Sequence, residues 1–226
     1  MNEKFKRKIL HLLFPTKCPV CGCFIGSMDR FCINCAENLH RYNGNFNIKG
    51  AESFTASFIY DDGIIPAVML MKDGICGNAG YALGNELADR LADDGTVDKI
   101  DIIIAVPMYR RDKRARGYNQ SDVIARVIGK RFGIPVADRV VVKIRRTKQQ
   151  KMLDRKMRMF NLKGAYALRS PEIILGKRIL LVDDVCTTGS TFTELTSLIL
   201  ENGALEVRCA ACCHTPDIHG KSEQSG

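Results

Sequence analysis

No apolar run in the 226 residues approaches the ~18 that a membrane-spanning helix needs, so no membrane span is expected. The basic start, Lys4, Lys6, Arg7 and Lys8, is followed by only six apolar-leaning residues, Ile9 to Phe14 with His11 among them. No small-residue cleavage site follows, which argues against a signal peptide. The plainer expectation is a short basic amphipathic helix, with Phe5, Ile9, Leu12 and Leu13 on one side, docked on the protein itself. Without an export signal, the ten cysteines point to metal or core roles rather than disulfides, and to the cytoplasm. No helix-turn-helix is evident, and no stretch reads as a purine or pyrimidine pocket.

What the chain does have is positive charge in two places. The net charge is +9, yet Arg110 to Gly117 alone carries +4 and Arg139 to Arg158 carries +8, which leaves the remainder at −3. The charge is therefore local and faces something anionic.

The stretch Ile179 to Thr191 reads I-L-L-V-D-D-V-C-T-T-G-S-T. Ile179 to Val182 does not alternate toward water, the pattern of a strand buried on both faces. Asp183 and Asp184 follow at its carboxyl end, where open α/β sheets place ligands. Thr187, Thr188, Gly189, Ser190 and Thr191 then precede a helix with Phe192, Leu195, Leu198 and Ile199 at helical spacing. Such a turn cradles a phosphate, because N–H groups at a helix N-terminus point outward, the helix dipole favours an anion, and Gly permits close approach. Two carboxylates beside it suit the vicinal hydroxyls of a ribose, so the ligand suggested is a ribose 5-phosphate.

At 226 residues the chain can bury one α/β core and carry a small appendage. The appendage is expected over residues 1–41. Cys18-x2-Cys21 and Cys32-x2-Cys35, ten residues apart, have the form of a four-thiolate zinc ribbon whose pairs are joined by a hairpin, with Cys23 an alternative to Cys21. A polar linker, Tyr42 to Asn47, leads to the main domain, 51–213, and residues 214–226 are expected to be a disordered tail. In the main domain Ala51 to Tyr60 reads as a strand, and Ile65, Val68 and Met69 as a helix, with Met69 and Met71 in the core. Asp101 to Val106 is a buried strand stopped by Pro107. The loop Met108 to Gln120 holds Arg110, Arg116, Gly117, Asn119 and Gln120, with Ser121 as the expected N-cap of the next helix. Further strands are expected over Val140–Ile144, Gly164–Leu168 and Leu205–Cys212, the last enclosing Cys209 and Cys212 as core thiols.

Strand, Asp-Asp and Thr-Thr-Gly-Ser-Thr together closely resemble the thirteen-residue signature of the type I phosphoribosyltransferases. The resemblance implies a parallel-sheet α/β core with helices on both faces. It also implies phosphoribosyl pyrophosphate (PRPP) and Mg²⁺ as ligands, with Asp183 and Asp184 on the ribose hydroxyls and Val185 to Thr191 around the 5-phosphate. The pyrophosphate would lie toward Arg110, Arg116, Gly117, Asn119 and Gln120. A loop over Arg145 to Lys163 would close on PRPP and bring in cations from Arg145, Lys148, Lys151, Arg155 and Arg158.

Three further motifs narrow the resemblance. Val106-Pro107 through Arg116-Gly117-Tyr118-Asn119-Gln120, then Arg145-x-Thr147-x2-Gln150, then Asn161-x2-Gly164-Ala165-Tyr166 are similar to the ComF family of competence-associated phosphoribosyltransferase homologues, as are the cysteine pairs. This resemblance covers Cys18 to about Cys213. It implies two readings: an enzyme transferring a 5-phosphoribosyl group to a nitrogen nucleophile, or a non-catalytic module gripping single-stranded DNA during uptake alongside competence proteins. A PRPP-sensing regulator is a third reading, weakened by the missing helix-turn-helix.

Overall fold

The computed structural model describes residues 3–73, 78–147, 162 and 164–215. In chain order its helices are α1 (Glu3–Leu13), α2 (Ile33–Asn38), α3 (Ile65–Lys72), α4 (Ala79–Asp93), α5 (Arg110–Arg116), α6 (Gln120–Phe132) and α7 (Ser190–Glu201). Its strands are β1 (Ser53–Ile59), β2 (Ile102–Ala105), β3 (Val141–Lys143), β4 (Tyr166–Leu168), β5 (Arg178–Cys186) and β6 (Glu206–His214).

The main sheet is four-stranded in the order β1-β6-β5-β2, with every pair parallel. Because β5 is interior, both its faces need cover, and its unbroken apolar start supplies two sets of side chains that alternate between the layers. Leu180 and Val182 join α3, α4 and α6 through Val68, Leu83, Leu87, Ile124 and Ile128. Ile179 and Leu181 join α7 on the other face through Phe192, Leu195 and Ile199, together with Val141 and Tyr166 of the small antiparallel β3-β4 sheet. Parallel-sheet core and helices on both faces are as expected.

The two neighbours of β5 end at different heights. On one side pairing stops at Ala105 with Val182, and after one more backbone bond, from the Val106 N–H to the Val182 carbonyl, Pro107 ends it. On the other, β6 continues past the acids, pairing Asp183 with Ala211, Val185 with Cys213 and Cys186 with His214. Asp183 and Asp184 thus lie within the strand rather than after it, beside the space that β2 leaves by stopping early. The amino end of α6 fills that space. β6 also takes in His214, the first residue of the expected tail, and residues 216–226 lie outside the described ones.

Four local expectations are corrected. The basic loop after β2 contains a helix, α5, since Arg110 to Arg116 has no residue that resists helix until Gly117 caps it at φ +90°. Asn119, not Ser121, stands at the N-cap of α6. The polar linker is not free: Tyr42 and Ile48 are buried, and Phe46 packs on Phe54 and His214. Met69 is 41% exposed although Met71 is fully buried.

The amino-terminal region shares the main core, with Cys18, Phe31 and Leu39 packed against Phe58 and its neighbours. Arg30 and Arg41 both reach Glu86 of α4. The helix α1 docks through Arg7, which donates to the Ser27 carbonyl at 2.9 Å and to Asn78 at 2.7 Å and stacks on Tyr81. Its apolar side is not what docks: Leu12 is 81% and Leu13 70% exposed.

Candidate functional site

The acidic pair is held from three sides. Ser121, in the first turn of α6, donates its hydroxyl to Asp183 Oδ1 at 2.7 Å, and the Asp184 backbone N–H donates to the same oxygen at 2.9 Å. Lys72, the last residue of α3, places Nζ 3.6 Å from Asp184 Oδ2. Lys143 of β3 approaches from the small sheet. Burial lowers its pKa, while Asp183 and Asp112 oppose that shift. Burial first, then the like charge of Asp184, raises Asp183 to about 8. Burial and the neighbouring acid thus work against ionisation of Asp183, while the Ser121 hydroxyl, the Asp184 N–H and the two lysine side chains beside the pair favour the carboxylate.

Above the acids, the turn after β5 runs through Thr187 and Thr188 to Gly189, the N-cap of α7. Gly189 adopts φ +70°, and a Cβ there would come within 2.5 Å of Ile48 and 2.9 Å of Phe46, so only glycine fits between the turn and the packed linker. Thr188 and Ser190 share a hydroxyl hydrogen bond of 2.8 Å. Val185 and Thr191 are half-buried and Thr187 is exposed, so the turn opens outward with the first N–H groups of a 12-residue helix behind it. Tyr166 of β4 stands beside Thr191 and closes one wall, its phenol pKa raised by burial and then by Asp183.

The loop after β2 forms the opposite wall. Asn119 donates to the Val106 carbonyl at 2.9 Å and to Asp122 at 3.1 Å, which sets the entry to α6. Gln120 is buried, and its side-chain nitrogen has no hydrogen-bond partner among the described residues. Tyr118 donates to the Met71 carbonyl, tying this loop to α3. Arg116 is half-buried, Arg110, Gly117 and Arg145 are exposed, and Arg146 pairs with Asp112 at 2.9 Å, bringing the end of β3 to α5. Lys148, Lys151, Arg155 and Arg158 lie outside the described residues.

Of the residues expected at the site, Asp183, Asp184 and the Thr187 to Thr191 turn come together on one side, with Asn119 and Gln120 opposite. Lys72, Lys143 and Ser121 were not expected there. For Lys72 and Lys143 no local pattern marks a terminal lysine of a helix or strand as inward-facing. Ser121 reads as a cap because Ser before an apolar-periodic run is a cap signal, but here its hydroxyl turns across to β5.

At the amino end, the Sγ atoms of Cys18, Cys21, Cys32 and Cys35 all lie within 4.8 Å of one another. A zinc with ~2.3 Å bonds separates tetrahedral sulfurs by about 3.8 Å, and Cys21 and Cys32 stand 3.7 Å apart. The donor set fits four-coordinate zinc. The second pair is carried by a helix, with Cys32 as the N-cap of α2 and Cys35 within it.

The phosphoribosyl transferase domain model matches residues 78–224 and the double zinc ribbon domain model residues 9–54. The chain belongs to the phosphoribosyl transferase domain family and carries an amino-terminal zinc ribbon, whose clustered thiols support a structural zinc. Among curated relatives, DNA utilization protein YhgH of Shigella flexneri is 37% identical over 115 residues, 51% of this chain and 50% of that protein. Competence protein F of Haemophilus influenzae is 37% identical over 109 residues, 48% of each. The chain spans about half the length of the curated relatives it matches. These homologues, with the two domain models, bear out the resemblance to the ComF family. Among solved structures, glutamine PRPP amidotransferase from B. subtilis is 21% identical over 66% of this chain and 27% of its own, with a TM-score of 0.40. A purine phosphoribosyltransferase from Pyrococcus horikoshii is 19% identical over 61% of this chain and 74% of its own, with a TM-score of 0.37. No described helix is long and apolar enough to cross a membrane.

Proposed function

We propose that this protein binds PRPP between the Asp183-Asp184 pair and the Thr187 to Thr191 turn, and transfers its 5-phosphoribosyl group to a nitrogen nucleophile. The observation that carries the reading is the Ser121–Asp183 hydrogen bond of 2.7 Å. It fixes one acid beside the phosphate-sized turn, and its neighbour Asp184 points the next acceptor toward Lys72. The 5-phosphate would take the N–H groups of the α7 amino end, and the vicinal hydroxyls would donate to the two carboxylates. Asp183 and Asp184 would then steady positive charge developing on the ribose as the bond to pyrophosphate lengthens. The pyrophosphate would meet Arg116, the Asn119-Gln120 turn and the Gln120 side-chain nitrogen, which has no partner among the described residues, with Arg110, Arg145, Lys148 and Lys151 as further cations.

The donors here are hard oxygens, Asp183, Asp184 and the nearby hydroxyls, a set that suits Mg²⁺ arriving with PRPP. When bound, that ion supplies charge neutralisation to the leaving pyrophosphate. Residues 1–41 and 51–213 would act as ribbon and catalytic unit of a cytoplasmic protein serving DNA utilization or competence. Calorimetric titration with PRPP, with and without Mg²⁺, tests the reading: Mg²⁺-dependent binding is expected, and no binding in either condition refutes it.

A second reading has its own observation. Arg110, Arg111 and Arg114 are all exposed on α5, a surface suited to phosphates of single-stranded DNA without base readout. The relatives named for DNA utilization and competence support it. Anisotropy of labelled single strands at three salt concentrations, with and without PRPP, separates the readings. Salt-sensitive binding that PRPP displaces places both ligands on the same loops, and its absence leaves the enzyme reading alone.

A further inference from the structure

The zinc ribbon holds a fifth thiol. Residues 18 to 23 fold back on themselves, the Gly22 N–H donating to the Cys18 carbonyl at 2.9 Å and the Cys18 N–H to the Cys23 carbonyl at 2.8 Å. That closure returns Cys23 to the cluster, with its Sγ 3.4 Å from Cys21 Sγ. Four sulfurs already satisfy a tetrahedral zinc, so Cys23 abuts the coordination sphere from outside. Both Cys21 and Cys23 are exposed to solvent, whereas Cys18 is buried. Between them lies Gly22, at φ +77° with nothing within 4 Å of the point where a Cβ would stand.

We propose that Cys23 is an oxidative modification site through which a hydroperoxide releases the ribbon zinc, by closing a Cys21–Cys23 disulfide. Two features that such chemistry uses, a solvent-accessible thiol and a resolving partner in contact with it, are both present. The Cys23 sulfur attacks one peroxide oxygen. The O–O bond breaks, leaving a sulfenic acid on Cys23 and water when the oxidant is hydrogen peroxide. Cys21 sulfur then attacks Cys23 sulfur; the S–S bond forms, the S–O bond breaks, and hydroxide leaves. The two sulfurs together lose two electrons and the peroxide gains two. Cys21 is withdrawn from the metal, which keeps only Cys18, Cys32 and Cys35 and passes to solvent. A thiol reductant reverses the change by exchange at the disulfide. The chemistry involves no residue of the Asp183-Asp184 site, so it stands or falls apart from the PRPP reading.

The test uses the full zinc-loaded chain treated with hydrogen peroxide, zinc release being followed with a metallochromic dye and cross-linked peptides by mass spectrometry. The wild-type chain is expected to release about one zinc per chain and to yield a Cys21–Cys23 peptide. Cys23→Ser should bind zinc equally before oxidant and release it roughly tenfold more slowly or less under the same dose. Release from Cys23→Ser at the wild-type rate would overturn the proposal. So would a Cys23→Ser chain that cannot hold zinc, because Cys23 would then be a ligand rather than a neighbour.

Discussion

Ser121 and Lys72 both touch the acidic pair, and the geometry ranks them. A hydrogen bond to a charged group is worth ~1.5–3 kcal/mol, whereas an ion pair with solvent access contributes ~0–1 kcal/mol. The Lys72 side chain is 30% exposed and its contact is 3.6 Å, so it belongs with the second kind. Ser121→Ala is therefore expected to weaken PRPP binding by about tenfold or more, and Lys72→Ala by no more than a few-fold. Calorimetry of the two variants checks the order, and a larger loss from Lys72→Ala would mean that the lysine contacts ligand directly. A second residue-scale outcome concerns pH. Asp101 accepts from the Arg178 backbone N–H at 2.8 Å and from its guanidinium at 3.0 and 2.7 Å, which fixes where β5 begins. The Arg178 side chain, then its backbone, lower the Asp101 pKa well below the usual carboxylate range. A depressed acid stabilises the fold above its unfolded pKa of ~3.9 and loses that contribution as pH falls through the folded value. Asp101→Asn should melt below wild type by a constant margin from pH 5 to 8, and the margin should shrink below pH 4 in thermal scans.

At the level of elements, strands were legible where they are buried on both faces and helices where apolar spacing repeats. The limits of β5 were less so. Its apolar signal ends at Val182, but β6 supplies backbone partners as far as Cys186, and partners across a sheet leave no mark on local sequence. The α5 helix was hidden for a related reason: seven residues without one buried side chain have no amphipathic period to read. The linker under the phosphate-sized turn has polar composition, yet Phe46 and Ile48 pin Gly189 from below. Gly189→Ala is expected to cost at least about 1 kcal/mol, from the positive φ and the contact with Ile48 together, or at least ~2–4 °C in a chain of this size. Unchanged melting would show that the linker yields freely and does not shape the turn.

Across the whole molecule, the ribbon and the sheet domain are joined by core rather than by tether. Cys18, Phe31 and Leu39 belong to the same buried cluster as α4 and α6, and Arg30 spans to Glu86 and Asp89. The cysteine spacing made the ribbon visible in the sequence, but nothing there foretold that its metal-bearing turn would share a core with a helix some seventy positions away. Removing zinc with Cys18→Ser and Cys35→Ser together should therefore lower the melting temperature of the entire chain in one transition, as followed by circular dichroism. Two separate transitions, with the sheet domain unmoved, would make the ribbon an independent unit.

The claim that organises these is that Asp183 and Asp184 hold the ribose of PRPP. The most direct measurement is the PRPP affinity of the Asp183→Asn, Asp184→Asn double variant beside wild type, at fixed Mg²⁺, with equal zinc content and matching circular dichroism. Loss of two charge-assisted hydrogen bonds predicts binding at least about tenfold weaker. Equal affinity in the folded double variant would contradict the account.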